Sequence, residues 1–89
     1  MTTKTTAQAV SRKIANMGKG YERFNGDYGY EVRQEIGTIV AYNFSHCQHM
    51  DFNGFAQDLV EAGYVVCGAE KYKNYMGLTV ESVIVEGRA

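Results

Sequence analysis

Proline and tryptophan are both absent from this chain, and cysteine occurs twice. Each scarcity excludes something. Without proline there is no cis-proline step and no proline-built turn, so turns fall to the ten glycines and to asparagine. Two thiols, Cys47 and Cys67, cannot make the disulfide framework that small secreted domains rely on, and a pair of reduced cysteines is expected. No apolar run approaches the roughly 18 residues that a membrane-spanning helix needs. The polar, threonine-rich stretch Met1–Gln8 lacks the apolar core of a secretory signal. A cytoplasmic location with no membrane partner is therefore expected.

Internal repeats, linkers and low-complexity tracts are also missing. The 89 residues read as one domain over 1–89, with 1–4 expected to trail loosely. For a chain of this mass, surface scaling has folding remove roughly 9,000 Å² from water, about 64% of the extended chain's surface. That suffices for one core but leaves little for a deep substrate cavity, so binding on an outer face or groove is the expectation. A hydrophobic share of 45% beside a charged share of 21% places the chain among folded globules rather than disordered ones.

Charge is unevenly spread within a net −1. Residues 1–24 hold Lys4, Arg12, Lys13, Lys19 and Arg23 against Glu22, a net +4. Residues 25–89 hold Arg33, Lys71, Lys73 and Arg88 against nine acidic residues, a net −5. A basic start on an acidic body points weakly to an anionic partner and equally to ordinary helix decoration.

The hydrophobic spacing sets out the elements. Ala7, Val10, Ile14 and Met17 share one face of a helix capped by Thr5 or Thr6 and stopped by Gly18 and Gly20. Tyr21–Phe24 reads as a short strand, and Asn25-Gly26 as a hairpin turn. Tyr28, Tyr30 and Val32 alternate with Gly29, Glu31 and Arg33, the pattern of a half-buried strand. Beyond a turn near Glu35–Thr38, Val40, Tyr42 and Phe44 oppose Ile39 and Ala41. This strand is apolar on both faces and so reads as central. Ser45–Met50 is a connection. Asp51 or Asn53 caps a second helix reaching Ala62, with Phe52, Phe55, Leu59 and Ala62 as its stripe. Tyr64–Cys67 is a short strand, Glu70–Gly77 a polar, aromatic hairpin loop, and Leu78–Val85 the last strand. Short connections imply antiparallel pairing. The expected fold is α+β, a two-layer sandwich in which two helices cover one face of an antiparallel four- to five-stranded sheet. The other sheet face is left to solvent or to a partner.

Residues with chemistry are few. His46, Cys47, His49 and Asp51, around Gln48, form the only cluster of ligand-type side chains. Zinc wants two separated ligand pairs, and here there is one, so a plain loop is favoured over a metal site. A nucleophilic Cys47 would need a base and a lowered pKa, and sequence neighbours in a loop rarely orient each other. Gly18-Lys19-Gly20 follows a helix instead of opening one, so it builds no phosphate loop. Glu81 and Glu86 read as solvated strand positions. No catalytic residue, metal or cofactor is assigned, and an enzyme is not expected.

Binding is better supplied. Lys71, Tyr72, Lys73, Asn74 and Tyr75 interleave cations with aromatics, and Arg12 and Lys13 lie on the outer face of the first helix. Seven tyrosines exceed what a core this small can hold, and tyrosine is enriched at protein interfaces. The expected partner-binding residues are Arg12, Lys13, Lys71, Tyr72, Lys73 and Tyr75.

Three runs carry a resemblance: Ala-Val-Ser-Arg-Lys-Ile from Ala9, Gly29-Tyr30-Glu31-Val32-Arg33-Gln34, and Leu59-Val60-Glu61-Ala62-Gly63-Tyr64-Val65-Val66. Together they resemble a group of short orphan proteins of actinobacteria and their phages. The resemblance implies the company of phage and mobile-element accessory genes, and it brings no catalytic residues. The leading expectation is a small non-enzymatic accessory protein that binds a larger macromolecule, as a modulator or inhibitor of a host or phage protein. The alternative is a nucleic-acid-binding regulator using the basic helix face and the basic-aromatic hairpin, although its pI of about 6.1 is low for that role. An exposed edge strand could pair two copies into a homodimer.

Overall fold

The structure, a computed structural model, describes residues 2–46 and 54–89. In chain order it runs α1 (Ala7–Asn16), β1 (Gly29–Glu35), β2 (Thr38–Ser45), α2 (Gly54–Glu61), β3 (Tyr64–Lys73) and β4 (Thr79–Arg88). Thr6 starts α1 in extended geometry, and its hydroxyl accepts from the Ala9 amide at 3.1 Å, meeting one of the orphan donors of the first turn. Val10 and Ile14 are buried on one side of α1, while Arg12 and Lys13 are exposed on the other.

The four strands form one antiparallel sheet in the order β1-β2-β4-β3. Cross-strand partners share a face, so the register sorts every side chain. Tyr30 and Val32 of β1, Ile39 and Ala41 of β2, Val83 and Val85 of β4, and Tyr64 and Val66 of β3 face inward. Val10 and Ile14 of α1 with Phe55 and Leu59 of α2 pack on that same face. The fold is thus the two-layer α+β arrangement, with the core between helices and sheet and no helix among the described residues on the other sheet face.

Several expectations change in detail. Tyr21–Phe24 is no strand: it makes one isolated parallel bridge, Arg23 with Tyr30. Asn25-Gly26 accordingly closes no two-stranded hairpin. The Asn25 side chain instead accepts from the Asp27 and Tyr28 amides at 2.9 and 3.1 Å, an Asx-type turn that returns the chain alongside itself. Glu70–Lys73, expected as loop, extends β3, and the turn shrinks to Asn74–Gly77, where Asn74 Oδ1 accepts from the Met76 and Leu78 amides. The polar side chains there hid a strand because β3 is an edge, where hydrogen bonding rather than burial holds the backbone. Thr3, within the segment expected to trail, exchanges two 2.8 Å backbone hydrogen bonds with Arg88.

Candidate interaction surface

The other sheet face takes Val40, Tyr42 and Phe44 from β2, Val80, Ser82 and Ile84 from β4, Cys67 and Tyr72 from β3, and Arg33 from β1, with Val80 and Val40 buried at its centre. Strand alternation builds it: Val40, Tyr42 and Phe44 of β2 and Val80 and Ile84 of β4 put apolar side chains on this side, as Ile39, Ala41, Val83 and Val85 do on the core side. The aromatics are organised. Phe24 reaches over from the loop to lie 4.2 Å, centroid to centroid, from Phe44. Tyr42 stacks on Phe44 at 6.1 Å and 23°, and the Arg33 guanidinium sits 5.2 Å above the Tyr42 ring. Tyr42, Phe44 and Ile84 are half-buried, and Tyr72 is exposed. Burial and then the nearby Glu35 carboxylate push the Tyr42 phenol above its usual range, so it stays neutral and serves as a hydrogen-bond donor.

The same register divides the residues expected to bind together. Tyr72 lies opposite Val80 on the face away from the described helices, whereas Lys71 and Lys73 lie opposite Glu81 and Thr79 on the helix side. Tyr75 projects from the β3–β4 turn, 95% exposed, beside Met76. Arg12 and Lys13 stand on α1, again on the helix side. The six residues therefore do not make one surface: Tyr72 belongs to the face away from the described helices, Tyr75 to the turn, and the four cations to the helix side. Sequence reasoning missed Phe24, Arg33, Tyr42 and Phe44 as a group. Their common side was legible for Tyr42 and Phe44 from alternation, but the approach of Phe24 and Arg33 depends on the loop path and the β1–β2 register.

Glu81, read as a solvated strand position, is 4% exposed. One carboxylate oxygen accepts from the Phe55 amide at 3.3 Å and the other from the Asn43 amide group at 3.4 Å. Phe55 is the second residue of α2, so a carboxylate on the sheet meets an orphan donor at the helix start, where the helix dipole also favours negative charge. Its role is to tie α2 to the sheet.

Of the expected ligand cluster, Cys47, His49 and Asp51 lie outside the described residues. His46 is exposed and meets Asp27 at 2.6 Å, and no group of three ligand-type side chains occurs among the described residues. Cys67 is a free, exposed thiol whose pKa is raised, first by its hydrogen bond to Glu86 and then by burial, which keeps it as thiol rather than nucleophilic thiolate.

No known family model matches the chain, and no curated protein or solved structure is found to be similar to it. The likeness to short actinobacterial and phage proteins rests only on the residues that suggested it. No helix among the described residues is long and apolar enough to cross a membrane.

Proposed function

We propose that this is a small binding protein that acts without catalysis, covering part of a larger protein as an accessory modulator or inhibitor of the phage type. The observation that carries the reading is the sheet face opposite the described helices, with its aromatic row of Phe24, Phe44, Tyr42 and Tyr72. Tyrosine and phenylalanine offer large contact area at low entropic cost, and the tyrosine hydroxyls remain satisfied at a wet rim. Charge favours a protein over a nucleic acid there. On β1 and β3, Glu31, Glu35 and Glu70 share the side of that row, against Arg33 alone among the cations of those two strands. A phosphate backbone would be repelled from such a face.

The test is capture by the tagged protein from bacterial lysate, with and without nuclease, beside a Tyr42→Ser/Tyr72→Ser variant of unchanged circular dichroism. A discrete protein that survives nuclease and is lost with the variant is the expected result. Nuclease-sensitive recovery that falls steeply with salt, and is lost with Arg12→Glu/Lys13→Glu instead, would move the nucleic-acid reading to the helix side.

A further inference from the structure

The two edges of the sheet are treated differently by the sequence. β3 is irregular: register shifts fall between Val65 and Val66 and between Cys67 and Glu70, with Gly68 in the left-handed region. Such bulges blunt an edge against further pairing. β1 has no bulge, and its pairing to β2 runs unbroken from Gly29 to Glu35.

The outer side of β1 is partly used. The Tyr30 amide donates to Glu22 O at 2.8 Å, and Tyr30 O accepts from the Phe24 amide at 3.0 Å. The chain then turns away, because Asn25 bonds to Tyr28. Backbone groups alternate in direction along a strand, so the N–H and C=O of Val32 and Gln34 point the same way as those of Tyr30. Among the described residues nothing bonds to them. Open volume runs beside this stretch. A groove of about 380 Å³ lies between α1 and β1, lined by Gln8, Ser11, Arg12, Arg23 and Val32 among others. A second hollow beyond it includes Lys4 and Gln34.

We propose that the free edge of β1 takes an extended acidic peptide segment of a partner protein, which adds to the sheet as a fifth strand along Val32–Gln34. Main-chain bonds to Val32 and Gln34 supply the pairing, and alternate peptide side chains descend into the α1–β1 groove. Charge specifies what descends. Arg23, Arg12 and Lys4 stand along that side, and none makes an ion pair among the described residues. Carboxylates at every second position match them.

A second copy paired through both Val32 and Gln34 fits this edge poorly. The two-fold register that uses Val32 and Gln34 of both copies sets Arg33 opposite Arg33 and Glu31 opposite Glu35. Like charges directly opposite destabilise a strand pair. Sliding the copies to centre on Val32 would bring Gln34 against Tyr30, whose outward groups are already taken.

This site is separate from the aromatic sheet face and stands or falls apart from it. The test uses the full chain and two synthetic octapeptides, one alternating valine with glutamate and one alternating valine with lysine. Binding is read by fluorescence anisotropy, and amide hydrogen exchange is followed residue by residue. The glutamate peptide is expected to bind, to slow exchange at Val32 and Gln34, and to weaken at least about tenfold with Arg12→Glu/Arg23→Glu, as loss of charge-assisted contacts predicts. Tyr42→Ser/Tyr72→Ser should leave that affinity unchanged. Equal binding of the lysine peptide, unchanged exchange at Val32 and Gln34, or no binding of the glutamate peptide overturns the proposal, as does a dimer by sedimentation that protects those two amides without peptide.

Discussion

A Cβ built on Gly29 would stand 2.6 Å from the Glu22 carbonyl oxygen and 2.7 Å from the Arg23 backbone, and Gly29 adopts φ +126°. Both facts demand glycine, since this is where the loop carrying Phe24 crosses the start of β1. Gly29→Ala should lower stability by more than about 2 kcal/mol in urea unfolding, through clash and backbone strain together. Gly18, at φ +73° with nothing within 4 Å of its Cβ position, is the control: Gly18→Ala should cost about 1 kcal/mol, the left-handed penalty alone. Glu81 makes the second claim at this scale. Glu81→Ala strips the Phe55 amide of its acceptor in a buried site and should cost about 2 kcal/mol. Glu81→Gln keeps one oxygen and should cost less. Equal losses would mean that volume, not hydrogen bonding, is what Glu81 provides.

Among elements, the β1–β2 hairpin stores strain. Its turn places Ile36 at φ +48°, beside Gly37 at φ +77°, with the Ile36 side chain fully exposed. A β-branched residue in the left-handed region is an outlier, and here no burial compensates it. Ile36→Asn should therefore raise stability by about 1 kcal/mol, because asparagine tolerates this geometry. No rise in denaturation midpoint would show that the turn relaxes around isoleucine. Elements also differ in how legible they were. α1 was readable but for the choice of Thr6 over Thr5 as cap, since apolar stripe and glycine stop are local. The end of β3 was not. Glu70–Lys73 has no apolar alternation, and it is a strand only because β4 lies beside it with free backbone groups.

At the scale of the molecule, pH tests how α2 is joined to the loop that follows α1. The Tyr21 hydroxyl donates to Asp58 at 2.5 Å, its ring packs edge-on against Phe55, and Lys19 reaches both Asp58 and Glu61. Burial and then the hydrogen bond to Asp58 raise the Tyr21 pKa well above its ordinary 10.0. The folded state thus holds this proton more tightly than the unfolded chain. The associated stability is complete below pH 10.0 and is lost as pH climbs from there toward the folded value. Tyr42 and Tyr64 are shifted the same way, each first by burial, and add to the decline. Thermal unfolding should show a melting temperature that falls above pH 10.0, less steeply in Tyr21→Phe. An identical slope in the variant would place the alkaline loss elsewhere.

The amino-acid order by itself determined α1, the central place of β2 and the antiparallel α+β class. All of these follow from periodicity and capping within a few neighbouring residues. Tertiary structure alone decided that Glu81 is buried under α2, because its partner Phe55 is 26 residues away. It decided that Tyr72 parts from Lys71 and Lys73, because strand pairing turns neighbours to opposite faces. It also decided that the outward groups of Val32 and Gln34 meet no partner among the described residues and lie beside Arg12 and Arg23, because strand order, not strand sequence, makes β1 an edge.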